Sequence, residues 1–219
     1  MKRVVDGGDV IRSMRKQISE ESGGKDGVDA RTRRFSQSGT SVVEAAIVLP
    51  IILLVVLGTV EIGMAFRDFL TVGAVSRDGA RIAALSARSD ESDCAVLKGI
   101  AALATQGDIE RIESVQIYKA AEGSGTQGAT NVWTYKTGFD PAECNTPANP
   151  AIDGWSQGAS AYPPSSRNTT IYPAPPPYLD LIGVRVRMRH DWITGFPPFR
   201  GNFTIDESTI TRVEPEAFG

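Results

Sequence analysis

The chain is 219 residues long, enough for one domain with extensions, and its 26 acidic against 23 basic residues leave a net charge of −3 and a pI near 5.3. This balance lacks the basic footprint of a nucleic-acid-binding protein, and no nucleic-acid partner is expected. Hydrophobic residues make up an ordinary 41% of the chain, but they are unevenly spread along it.

Residues 1–38 mix both charge signs with glycine and serine and hold few long apolar side chains, which predicts a disordered leader. A basic cluster, Arg31-Thr-Arg33-Arg34, closes this leader, and Gly39-Thr-Ser-Val-Val-Glu44 follows shortly after it. From Ala45 to Phe66 the only charge is Glu61. About 20 apolar residues suffice to cross a bilayer, so a transmembrane segment is expected at about 42–66. The run is longer than the core of a secretory signal, and no Ala-x-Ala site follows it. The three arginines place its N-terminal end in the cytoplasm by the positive-inside rule, and the bulk of the chain outside.

A single helix is predicted over 40–88, starting at about Ser41 and running well beyond the bilayer at 1.5 Å per residue. Pro50 removes one backbone donor within it, and a kink is expected there. Past the membrane portion, Phe69, Val72, Val75, Gly79, Ile82 and Leu85 recur at spacings of three and four, a stripe that reads as the buried face. Arg67, Asp68, Arg77, Asp78, Arg81 and Arg88 would then occupy the other faces. Gly73, Ala74, Gly79, Ala80, Ala83 and Ala84 would let a neighbouring element approach closely, or simply pack well.

Residues 89–219 read as an extracytoplasmic head. Ser89 or Asp90 would cap a second helix through Ala104. Strands are expected at Ser114–Lys119, Asn131–Lys136, Leu181–Trp192 and Thr204–Glu214. The third alternates most clearly, with Ile182, Val184, Val186, Met188, His190 and Trp192 on one face and Arg185, Arg187, Arg189 and Asp191 on the other. The basic row would be either a solvated face balanced by acids such as Glu110 and Glu113 or a binding face for an anionic surface polymer. Segment 137–180 holds most of the 13 prolines and reads as a loop-rich insertion. Within it, Tyr162–Tyr178 would form either an ordered cover over the sheet or a recognition loop. The fold class is α+β, a long helix packed on a small antiparallel sheet. Cys94 and Cys144 both follow the apolar run. Outside the cell they would pair, closing a loop worth roughly 4 kcal/mol in the chain-entropy model; the alternative is two free thiols.

Two acidic residues carry the functional signal. Glu44 stands at the entrance of the apolar run, where an unpaired charge in lipid costs at least ~2.5–3.5 kcal/mol on insertion scales. Either it meets a cation there, or it sits in the interface and is favoured by the helix macrodipole. Glu61 either contacts another subunit within the bilayer or already lies at the outer interface beside Arg67 and Asp68. His190, the only histidine, reads as a satisfied core residue rather than a ligand. No Cys/His cluster has metal spacing, no nucleophile has a convincing base, and no phosphate loop is present in the sequence. No enzyme, metal or cofactor is expected.

Gly-Thr-Ser-Val-Val-Glu-Ala-Ala-Ile-Val-Leu-Pro over 39–50, then an Ile/Leu/Val run, then Gly58-Thr-Val-Glu61-Ile-Gly63, resembles the N-terminal segment of the TadE-like family, minor pilin-like components of tight-adherence (Flp-type) pilus systems. The resemblance covers about residues 39–88. It implies that a prepilin peptidase removes residues 1–39 by cutting between Gly39 and Thr40. It implies that Glu44, fifth in the mature chain, pairs with the new N-terminal amine of a neighbouring subunit and sets the register of assembly, with Glu61 as a second assembly residue. Implied partners are the peptidase, other pilin-like subunits, the assembly platform and membrane lipid. The chain departs from the short major pilins in its length and in carrying Ala45 where they usually have tyrosine; polar Thr40 and Ser41 open the mature chain. The competing reading is an uncleaved single-pass protein whose outer domain binds a ligand or the cell wall.

Overall fold

The computed structural model describes residues 26–136, 138, 154–170, 179–195 and 197–215. The chain divides into two compact units, Met1–Leu57 and Gly58–Gly219. Helix α1, Asp26–Leu85, runs through the boundary. It starts upstream of the expected Ser41, so residues 26–38, read as disordered, are helical. No proline interrupts the chain between Asp26 and Pro50. In the first unit the helix exposes Val42, Val43, Ile47, Leu49 and Ile51 by more than half. Apolar surface so continuous does not belong in water. Among the described residues α1 is the one helix long and apolar enough to cross a membrane.

The second unit is α+β. Helices α2, Ser92–Leu103, and α3, Gln106–Ile109, lead into β1, Ile112–Ala120. Strands β2, Gln127–Tyr135, β3, Trp155–Ser160, β4, Leu181–Asp191, and β5, Asn202–Arg212, complete one antiparallel sheet of order β3-β2-β1-β4-β5. The clearest period-two segment became an interior strand of the sheet: β4 pairs β1 through Val186 and Val115, and β5 through Val184 and Thr209. Of its predicted inward residues, Ile182, Val184, Val186, Met188 and His190 are buried, while Trp192 lies just past the end of β4 and is only partly buried. Each fully buried aliphatic side chain here contributes about 1.5–3 kcal/mol relative to exposure.

The face α1 turns to the sheet keeps the middle of the expected stripe and loses its ends. Val72, Val75 and Gly79 are buried and Ile82 packs against the core, but Phe69 and Leu85 are about half exposed, and the buried face also takes in Ser76, Ala80, Ala83 and Ala84. Small residues win because the helix lies close to β4 and α2. A Cβ on Gly79 would stand 3.2 Å from Val184 Cγ1 and 3.4 Å from Ile100 Cδ1. Ser76 Oγ sits within 3.1 Å of the Val184 carbonyl, to which it donates, and 2.9 Å from Thr209 Oγ1. On the opposite face of the sheet the Tyr118 ring lies over Gly183, where a Cβ would come within 2.2 Å of Cζ.

Three further expectations are corrected. Helix α2 begins at Ser92, not after Ser89 or Asp90; Glu91 holds the N-cap position without a side-chain hydrogen bond. Strand β3 lies inside the segment read as loop. The basic row of β4 is balanced by Asp206, 2.6 Å from Arg185 Nε and 3.6 Å from Arg187 Nε, and by Asp191, 3.1 Å from Arg189 Nε, rather than by Glu110 and Glu113. The described start of the Tyr162–Tyr178 segment is an ordered cover. Arg167, fully buried, donates to the Ala87 carbonyl (3.2 Å), to Ser92 Oγ (2.7 Å) and to Asp93. Asp93 also accepts from Asn131 (2.8 Å) and from the Trp133 indole (3.1 Å), so one buried carboxylate joins α2, β2 and the cover.

Candidate functional site

The residues singled out by the sequence fall into two places. Gly39 and Glu44 lie on α1 in the first unit, both exposed, about 7.5 Å apart along the helix axis at its standard rise. Nothing stands within 4 Å of where a Gly39 Cβ would be, so the fold itself does not require glycine at that position. Thr40 is exposed beside it. Glu44 makes no ion pair among the described residues.

Glu61 belongs to the second unit and is fully buried there. Its carboxylate accepts the backbone N–H groups of Ile193 (3.1 Å) and Thr194, in the connection between β4 and β5. Two converging N–H donors supply what a buried carboxylate requires. The second acidic residue of the apolar run is thus held by its own chain.

One heptad on, on the same face of α1, Asp68 is also buried. This corrects its placement among the exposed polar faces. Asp68 receives two hydrogen bonds from the Arg111 guanidinium, one of them at 3.0 Å, and lies 2.7 Å from His190 Nδ1. Arg111 reaches on to Asp108 at 2.5 Å, and Asp108 also takes bonds from Thr105 Oγ1 (2.6 Å) and Arg67 (3.0 Å). His190 is a core residue whose Nδ1 is engaged; its buried Nε2 has no partner among the described residues. The result is a chain of polar contacts, His190–Asp68–Arg111–Asp108–Arg67, that fastens α1 to α3, to the residue preceding β1 and to β4. The sequence held one clue to it: Glu61, Asp68, Val72 and Val75 share a helical face, which makes a carboxylate on that face an expected burial.

Burial raises the cost of ionising Asp68 and Asp108. The hydrogen bonds and charges of Arg111 and His190 around the first, and of Thr105, Arg111 and Arg67 around the second, outweigh it, and both carboxyls are held below their ordinary range. A carboxyl depressed in the folded state contributes stability that is complete above its unfolded value, near 3.9, and is lost as pH falls through the native value. The melting temperature of the head should therefore be flat from pH 7 to about 5 and fall steeply below about 4. Asp68→Asn should be less stable at neutral pH and show a shallower acid decline in a scanning calorimeter.

Cys94 is buried in α2, and Cys144 lies outside the described residues. No group of three or more His, Cys, Asp or Glu able to hold a metal ion occurs among the described residues. No curated protein and no solved structure compared with the chain matches it. Over residues 39–81, the stretch that carries Gly39, Glu44, Pro50, Glu61 and Asp68, the chain matches the family described as TadE-like protein.

Proposed function

We propose that this chain is a minor pilin-like structural subunit of a tight-adherence pilus system, made as a precursor and cut between Gly39 and Thr40 by a prepilin peptidase. The family match carries the reading, and its first residue is Gly39. TadE-like proteins are structural components of the pilus apparatus rather than enzymes. Arg31, Arg33 and Arg34 hold residues 1–39 in the cytoplasm, α1 crosses the membrane, and the head folds outside, where Cys94 pairs with Cys144. Glu44 then meets the N-terminal ammonium of Thr40 in a neighbouring subunit, so that two charges costly in lipid offset one another. Glu61 keeps the head seated on its own helix, which leaves Glu44 as the carboxylate available to a neighbour.

Gly39→Ile is the discriminating substitution. Open space surrounds this position, so folding should be unaffected while processing stops. In cells with an active peptidase the variant should keep the full precursor mass and fail to enter the pilus fraction. An unchanged mass in both wild type and variant would instead favour an uncleaved single-pass protein with a ligand-binding or wall-binding head.

A further inference from the structure

The connection between β4 and β5 is unusual for an exposed hairpin end. Its residues include Trp192, Ile193, Pro197, Pro198 and Phe199, and Arg200 follows at once. Ile193 is 61% exposed, both prolines are exposed, and Trp192 and Phe199 are half buried against each other with ring centroids 5.0 Å apart. Polar turn residues would be the ordinary solution for such a tip in water.

The tip is also fixed in place. The Ile193 and Thr194 N–H groups are bound to the Glu61 carboxylate, and the Phe199 ring lies 3.4 Å from where a Gly58 Cβ would be. Gly58 is where the uninterrupted aliphatic run of α1 ends in sequence. The turns of α1 that follow expose Val60, Ile62 and Phe66 by more than half. Trp, aliphatic, proline and Phe side chains with a flanking arginine, held beside a helix where it leaves an apolar run, match the chemistry of the membrane–water interface.

We infer that the β4–β5 tip is a second membrane contact, inserting Ile193 and the rim of Trp192 into the outer interface with Arg200 at headgroup level. Its partner is the lipid surface. Glu61 has a specific part in this: by capping Ile193 and Thr194 it removes two backbone donors that would otherwise need water at the point of insertion. The inference rests on α1 spanning the membrane.

The full chain in phosphatidylcholine vesicles with bromine on the upper acyl carbons provides the test. Trp133 and Trp155 are buried in the head, so shallow quenching reports Trp192. Wild-type emission should be partly quenched, Trp192→Phe should lose the quenched share, and Ile193→Asp should lower it with an unchanged melting temperature, since that side chain is exposed. Absence of quenching in a protein that resists alkaline extraction overturns the tip contact and leaves the spanning helix standing. Quenching that persists in Trp192→Phe also overturns it. Release of the protein by alkali removes both readings.

Discussion

Replacing Arg111 by alanine is expected to destabilise the head by about 3–5 kcal/mol, the usual cost of removing one partner from a buried ion pair. Among the described residues Arg111 bonds both Asp68 and Asp108, and without it both nearly buried carboxylates lose their shared cation, leaving Asp68 with His190 and Asp108 with Arg67. Lysine should restore little, because a point charge cannot bridge two carboxylates as a planar guanidinium does. Denaturant unfolding of the detergent-solubilised chain, followed through the buried Trp133 and Trp155, gives the number. The double variant Arg111→Ala with Asp68→Asn should be less impaired than the sum of the two single changes, since one of the two carboxylates that lost their shared cation is gone. A loss below about 1 kcal/mol for Arg111→Ala would mean that the network is solvated and contributes as an ordinary surface pair does.

The second large effect is expected at Glu44. Two unit charges ~4 Å apart at an effective dielectric near 20 attract by about 4 kcal/mol before desolvation. Each 1.4 kcal/mol is tenfold in an equilibrium. After desolvation, Glu44→Ala should still reduce incorporation into the pilus by at least about tenfold. Processing should continue, because the substitution leaves Gly39 and Thr40 in place. Head stability should not change, since Glu44 is exposed and lies outside the unit Gly58–Gly219. Immunoblots of sheared surface fractions against membrane fractions separate these outcomes. Glu61→Ala should behave in the opposite way, loosening the β4–β5 connection through loss of the Ile193 and Thr194 contacts while leaving Glu44 able to pair.

How far the sequence carried depended on whether each signal was local. The aliphatic run and the alternation of Leu181–Trp192 repeat over many residues, and each maps onto a helix or a sheet face without help from elsewhere. Strand β3 was not legible. Trp155-Ser-Gln-Gly-Ala-Ser lacks β-branched residues and becomes a strand by pairing at the edge of β2, through Tyr135 and Trp155 among others. The burial of Asp68 was hidden for a related reason. Its partners Arg111 and His190 lie 43 and 122 residues away, and only their convergence makes a carboxylate tolerable on the inner face of α1. Glu61 is the sharpest case: its donors are 132 and 133 residues distant, so a charge read either as a contact with another subunit or as a residue of the outer interface gave no sign that it is engaged within the chain. The loss of Phe69 and Leu85 from the ends of the stripe, and the gain of Ala80, Ala83 and Ala84 on the buried face, have a steric cause instead. Periodicity identified a helix, but only the closeness of Val184 and Ile100 selects small residues over large ones.

The central claim is that a peptidase cuts this chain after Gly39 and that Thr40 becomes the N-terminus of the assembled form. N-terminal sequencing of the protein recovered from the pilus or membrane fraction measures this directly. The account predicts Thr-Ser-Val-Val-Glu as the first five residues; a recovered chain that still carries Arg31 to Gly39 in cells with an active peptidase would contradict it.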